Sequence, residues 1–300
     1  MELVRSGIRA VSGSGLKINK SFLVFGVLYF LLFIVVVFLE MSYSKTLADF
    51  NLMKNSVFLD KTKNSEIFTQ KDISHLPHPV KRYFNYCGYI GTPKMLSMKA
   101  VYKDVKFLFG KGKSALTIDY LQYNKVNEPA RIAYIHSSKY GIPFEGLDSY
   151  IDGKGSMKGI LAKVFTLFNQ TGETMDRASL VTFLSECLII PNAALQDYID
   201  WEEIDALHAK ATINYYGKKA EGIFTFNEKG EMISFTTFDR EATSTDGTSE
   251  KVKWSVVFDE YEETEGIKKP TKFQAIWHYD DGDLLYFDGQ GVILEYDPAE

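Results

Sequence analysis

The sequence predicts an α+β chain: one N-terminal transmembrane helix, then a strongly curved antiparallel β-sheet or half-barrel of about ten to twelve strands, with helices over its concave side or end. Three observations predict it. An unbroken apolar run covers residues 22–39, several later segments alternate apolar and polar residues with a period of two, and turn residues punctuate the alternating segments.

The apolar run, FLVFGVLYFLLFIVVVFL from Phe22 to Leu39, holds eighteen residues without a charge, an amide or a Pro. At about 1.5 Å per residue it is about 27 Å long, which matches the hydrocarbon core of a bilayer. A cleaved signal peptide has a shorter apolar stretch followed by small residues, whereas this run is longer and continues into Glu40-Met41-Ser42-Tyr43. No Cys lies just after it, which argues against a lipid-modified terminus, and a helix buried in a soluble core would carry a polar face. Arg5, Arg9, Lys17 and Lys20 against Glu2 give the first twenty residues a net charge of +3. Basic residues flanking a span stay in the cytoplasm. The expected layout is therefore a cytoplasmic tail over 1–20, a transmembrane helix over 21–40, a stalk or linker over 41–70 and an extracytoplasmic β-rich domain over 71–300. The expected location is the cell membrane, with a single pass.

The whole chain carries −5, so the remainder is acidic at −8. No basic stripe interleaves with aromatic residues, which excludes nucleic acid as a partner. Aromatic residues make up 14% of the chain, while Gly and Pro together number only 30, a balance that favours a packed core over disorder. Cys87 and Cys187 read as two buried free thiols, although an oxidising compartment permits a bridge between them.

Leu47, Phe50, Met53 and Phe58 show a partial helical period, so the stalk is expected to carry one helix lying on the domain. Between Asp72 and Gly88 a short helix is expected, capped by Asp72 or Ser74, with Pro77 and Pro79 in its first turn and Gly88 as its stop. Alternation then marks strands at Leu96–Tyr102, Leu116–Tyr120, Ala209–Tyr215, Val252–Phe258 and Phe273–Tyr279. Turns fall at Asp152-Gly153-Lys154-Gly155, Gly217-Lys218, Asn227-Glu228-Lys229-Gly230 and Asp280-Asp281-Gly282, so neighbouring strands run antiparallel. A helical insertion is expected from about Met157 to Asp205. Asp176 caps a helix whose Leu180, Phe183, Leu184 and Cys187 share a face, Pro191 ends it, and Asn192 caps a second short helix.

The residue patterns that approach catalytic signatures have structural readings. Gly110-Lys111-Gly112-Lys113-Ser114 lacks the leading Gly of a phosphate loop and reads as a hairpin turn. Ser156 is flanked by Lys154 and Lys158 where a nucleophile elbow needs Gly. His75 and His78 lie three apart but have no third ligand nearby, and His136, His208 and His278 are isolated on strands, so no metal and no cofactor is predicted. Glu186 stands out as a carboxylate inside an apolar helix, expected either to face solvent or to pair with Arg177 or Arg240. Trp201, Trp254 and Trp277, with Tyr150, Phe224 and Phe226, line an apolar ligand pocket or fill a core.

Several segments together resemble an uncharacterised bacterial, membrane-anchored family known only as a domain of unknown function (DUF6544/DUF6920-like). They are Leu76-Pro77 with Pro79-Val80-Lys81-Arg82-Tyr83, Gly146-Leu147-Asp148-Ser149-Tyr150 with Asp152-Gly153-Lys154-Gly155-Ser156-Met157, and Leu180-Val181-Thr182-Phe183-Leu184-Ser185-Glu186 with Pro191-Asn192-Ala193-Ala194-Leu195. Trp277, Gly282-Asp283 and Tyr296 extend the resemblance, which covers about residues 75–297. The chain departs from the family pattern at Thr182-Phe183, where Arg-Tyr is usual, and at Ile189-Ile190, where a Trp is usual. The resemblance implies the architecture and no mechanism.

Three functional readings follow. The first is a non-enzymatic, membrane-tethered module in the cell envelope that holds an apolar ligand such as a lipid or lipoprotein acyl chain, by fold-level analogy with half-barrel lipoprotein carriers. The second is an envelope hydrolase that uses Glu186 with Asp148 and Asp152. The third is a structural or sensory partner of another membrane protein.

Overall fold

Apolar and polar residues alternate where one face of a strand is wet, and this pattern sets most of the chain. The computed structural model describes residues 20–58, 65–243 and 247–298. The expected cytoplasmic tail with Arg5, Arg9 and Lys17, and residues 59–64 of the linker, lie outside the described residues. The chain divides into two compact units, Met1–Ser42 and Tyr43–Glu300. In the first, α1 (Lys20–Glu40) is a 21-residue helix with no buried residue. It is long and apolar enough to cross a membrane.

The second unit is built on strands: β1 (Ser97–Phe107), β2 (Leu116–Lys125), β3 (Ala130–Lys139), β4 (Ile142–Ile151), β5 (Lys154–Leu161), β6 (Phe165–Thr171), β7 (Ile199–Glu203) and β8 (His208–Tyr215). It continues with β9 (Lys218–Phe226), β10 (Met232–Thr237), β11 (Glu241–Thr243), β12 (Ser249–Lys251), β13 (Lys253–Thr264), β14 (Ile267–Tyr279), β15 (Gly282–Gly289) and β16 (Ile293–Tyr296). All sixteen strands among the described residues pair antiparallel, fourteen of them in one sheet of order β6-β5-β4-β3-β2-β1-β15-β14-β13-β10-β9-β8-β7, with β16 beside β1. β11 and β12 form a separate hairpin. The edges β6 and β7 do not pair with each other, so the barrel is not closed.

One helix spans the gap. α4 (Glu173–Glu186) packs against β4, β5 and β6 from one end of the sheet and against β8 and β9 from the other. Because both ends of the strand path meet the same helix, the sheet curls around it, and α4 acts as a wedge on the concave side. Leu180, Phe183, Leu184 and Cys187 are all fully buried there, as the shared face predicts.

On the opposite face, α2 (Lys45–Met53) and its π-helical continuation Lys54–Phe58 lay Phe50 and Phe58 against Ala130, Ile132 and Leu147. Ser44 caps α2 by accepting a hydrogen bond from the Leu47 N–H at 3.0 Å. The helix expected to lie on the domain is thus part of the folded unit, and it explains why β3 and β4 are buried on both faces.

The structure corrects several local expectations. Helical structure within 157–205 is confined to α4 and the short 3-10 turn Ala193–Leu195, because Met157–Thr171 completes two more strands. Strand number therefore exceeds the expected ten to twelve. α4 starts after Gly172, and Asp176 lies in its first turn rather than at its cap. Asn192 precedes the 3-10 turn without a capping hydrogen bond and instead donates to the Met95 carbonyl at 3.0 Å. The turn between β8 and β9 is Tyr216-Gly217, one residue earlier than expected, with φ of 48° and 70°, values a two-residue hairpin loop requires. Cys87 and Cys187 are buried and unpaired.

α3 (His78–Cys87) ends on Gly88 at φ 78° as expected, but neither Asp72 nor Ser74 caps it. Glu203 accepts the His78 N–H at 2.7 Å instead. Asp72 organises the preceding turn, accepting from the Thr69 N–H at 2.7 Å, the Thr69 hydroxyl at 2.6 Å and Lys94 at 3.0 Å. The Thr69 hydroxyl first, then Lys94, hold its carboxyl down at about 2. A carboxyl depressed in the folded state contributes stability above its unfolded value near 4 and loses it as pH falls through the folded value. The melting temperature of Asp72→Asn should therefore lie about 3–6 °C below that of the parent protein at pH 6, and the two should converge between pH 4 and 2. Parallel melting curves at all pH values would refute the assignment.

Candidate functional site

β2, β3 and β4 run side by side with Gln122 opposite Ala133 and Ala133 opposite Asp148, while Asn124 lies opposite Arg131. Period-two alternation points Tyr120, Gln122, Asn124, Arg131, Ala133 and Asp148 to the concave face. Ala133 is small, so the Arg131 side chain can cross it to reach neighbours on both flanking strands. The last residue of α4, Glu186, comes down on the same spot.

The result is a buried polar network. Arg131 Nη1 donates to Asp148 Oδ2 at 2.6 Å, Nη2 donates to Gln122 Oε1 at 3.2 Å and to the Tyr120 hydroxyl, and Nε lies 3.3 Å from Glu186 Oε2. The same Glu186 oxygen accepts from Gln122 Nε2 at 2.8 Å and Asn124 Nδ2 at 2.7 Å. The Arg131 side chain is 5% exposed, and those of Glu186 and Asp148 are 12% and 15% exposed. Burial works against the Arg131 charge, but Tyr120, Glu186 and Asp148 outweigh it and keep the guanidinium firmly protonated. Burial likewise pushes the Tyr120 phenol up, so it stays neutral. Two carboxylates share one cation. Asp148 Oδ1 is buried with no hydrogen-bond partner, and Glu186 Oε1 has none among the described residues.

This network forms part of the wall of a cavity of about 510 Å³ between α4, the concave face and the β11–β12 hairpin. Tyr102, Phe109, Phe168, Trp254, Phe258 and Phe287 supply aromatic wall. Held at Thr182, one turn of α4 before Glu186, Arg240 also lines the cavity. It donates to the Thr182 hydroxyl and lies over the rings of Trp254 and Trp277, 4.5 and 5.8 Å from their centroids.

Of the carboxylates proposed from sequence, Glu186 and Asp148 converge through Arg131, while Asp152 sits in the β4–β5 turn at φ 50° and is bonded to the Tyr216 hydroxyl at 3.4 Å. The partner of Glu186 is Arg131, not Arg177 or Arg240. Arg177 points to solvent from the first half of α4, and Arg240 is engaged by Thr182 one turn earlier. Of the aromatic residues proposed, Trp254 lines the cavity, and Trp277 lies behind it, stacked on Tyr286 at 6.0 Å. Tyr150, Phe224 and Phe226 are buried, and Trp201 packs on Phe224 with its indole N–H on the Ala194 carbonyl at 2.9 Å. His208 and His278 are held by Asp205 and Asp283, each at 2.8 Å. Gln122, Asn124 and Arg131 escaped the sequence reading, which named Arg240 only as a partner for Glu186. The available signal was the alternating Tyr120-x-Gln122-x-Asn124, polar groups on the face that the strand otherwise turns to the core.

A family model described as "Family of unknown function (DUF6544)" matches residues 66–289. The chain belongs to the DUF6544 family. This agrees with the resemblance carried by the segments around Asp148, Gly155 and Glu186. No curated protein matches this DUF6544 chain. Among solved structures it is similar to a LolA superfamily protein from Nitrosomonas europaea, at 8% identity over 72% of this chain and 92% of that one, with a TM-score of 0.37. It is also similar to a putative outer membrane lipoprotein-sorting protein domain from Vibrio parahaemolyticus, at 9% identity over 67% of this chain and 84% of that one, with a TM-score of 0.35.

Proposed function

We propose that this DUF6544 chain is a membrane-tethered, non-enzymatic binding module whose half-barrel holds a lipid or acyl chain on the outer side of the cell membrane, with α1 as the anchor and the N-terminus cytoplasmic. The observation that carries the reading is the cavity of about 510 Å³ walled by aromatic rings and ending on a buried charged network. Its volume lies in the range of sites that enclose most of a small ligand, about 300–1,000 Å³. The wall mixes aromatic rings with polar side chains, among them Gln122, Gln170, Thr182 and Gln274, a combination that suits an amphiphile, whose chain gains by leaving water while its head needs partners. The non-catalytic reading is supported by the tying of Glu186 and Asp148 to a single arginine and by the remote position of Asp152.

Filling the cavity tests this. Ala275 is 8% exposed and lines it from β14. In the full chain held in amphipol, Ala275→Trp should weaken binding of a fluorescent single-chain amphiphile by at least about tenfold, with little change in melting temperature because the ring enters existing space. Equal affinity in a folded variant would overturn the proposal.

A further inference from the structure

The charges around the cavity are separated rather than cancelled, and that separation specifies a head group. At one place, two carboxylates meet one guanidinium, which leaves an excess of negative charge and two acceptor atoms, Asp148 Oδ1 and Glu186 Oε1, without hydrogen bonds among the described residues. At the other, Arg240 makes no ion pair among the described residues, although the exposed Glu241 next to it also lines the cavity; its contacts are the Thr182 hydroxyl and the faces of two tryptophans. Thr182 and Glu186 are four residues apart on α4, so their Cβ atoms lie about 5–6 Å apart on one helix face. Both line the cavity. An unpaired cation and an under-compensated carboxylate pair are therefore offered to the same occupant about one helical turn apart.

We infer that the ligand is a single-chain amphiphile with a zwitterionic head, its anionic oxygens on Arg240 and its ammonium on Asp148 and Glu186. The inference rests on the acyl-chain reading of the cavity. A purely anionic head would satisfy Arg240 and face the excess carboxylate; a purely cationic head would do the reverse. A guanidinium lying on indole faces keeps its edge donors free for the planar fork of a phosphate or carboxylate. An ammonium brings up to three donors to oxygens that otherwise remain unsatisfied in a buried site. Phosphate joined to ethanolamine carries both charges a few bonds apart.

The test uses the full chain in amphipol and four probes with the same acyl length: lysophosphatidylethanolamine, its N-acetyl derivative, lysophosphatidylglycerol and a long-chain alkylamine. Binding is read by tryptophan fluorescence and by native mass spectrometry. The expected result is that lysophosphatidylethanolamine binds at least about tenfold more tightly than the other three. Arg240→Gln should erase its advantage over the alkylamine. Because the acidic end is probed by acetylating the ligand, no variant of the buried network has to fold. Equal binding of all four probes would overturn the head-group inference while leaving the acyl-chain reading intact. Tighter binding of the N-acetyl derivative or lysophosphatidylglycerol would also overturn it. Binding of none would remove the acyl-chain reading and the inference with it.

Discussion

Replacing Arg131 by Leu should lower the unfolding free energy by about 3–5 kcal/mol, because removing one partner of a buried ion pair leaves the other charges without compensation. Here two carboxylates, 12% and 15% exposed, would face each other across an apolar side chain. Denaturant unfolding of the full chain in detergent gives the difference directly, and the melting temperature should fall by about 6–20 °C. The triple variant Arg131→Leu, Asp148→Asn, Glu186→Gln should recover much of the loss, since neutral groups of similar shape incur a smaller desolvation penalty. A single variant within about 1 kcal/mol of the parent would show that water already reaches the network and that it is not a buried site.

The network also tells which parts of this chain can be read from sequence. β8, β13 and β14 were legible because each keeps one wet face, so alternation survives. β3 and β4 are blurred because α2 covers their outer side, burying Ala130, Ile132 and Leu147 in addition to the inner row. The helical insertion expected from about Met157 covers most of β5 and all of β6; in β5, Gly155 and Gly159 interrupt the alternation, and the structure supplies the cause. A Cβ on Gly159 would lie 2.4 Å from the Phe168 ring, and one on Gly155 would meet α4. Glycine marks the places where a neighbour fills the side-chain position, a tertiary fact invisible to periodicity. The candidate site divides in the same way. Glu186 was conspicuous as a carboxylate in an apolar helix, but nothing local reveals that its partner is Arg131, which is set on a distant strand by the sheet register. Which aromatic residues face the cavity rather than the core depends on sheet curvature, and curvature is fixed by where α4 wedges the two edges.

That wedge should be sensitive at one atom. Gly155 on β5 has an ordinary backbone conformation, unlike Gly153 at φ 71°, so substitutions there test space and not backbone strain. A Cβ at 155 would lie 2.4 Å from the Met175 carbonyl oxygen and 2.6 Å from Ser179 Oγ, both on α4. The close approach is held by Asp176, which accepts the Gly155 N–H at 2.7 Å and lies 3.2 Å from Lys218 on β9, so that one carboxylate on α4 joins strands from both ends of the sheet. Carbonyl oxygen cannot rotate away, so the helix must move. Gly155→Ala should cost about 1–3 kcal/mol, and Gly155→Val at least the upper end of that range. The graded loss distinguishes steric displacement from a lost hydrogen bond, because both variants retain the backbone N–H. Displacing α4 also shifts Thr182 and Glu186 relative to the sheet, so acyl-chain affinity should fall with stability across the series. Lys218→Met, which removes a half-buried charge while leaving the backbone contact in place, should cost less than either substitution. If Gly155→Val unfolds and binds like the parent protein, α4 does not hold the half-barrel in the way its contacts require.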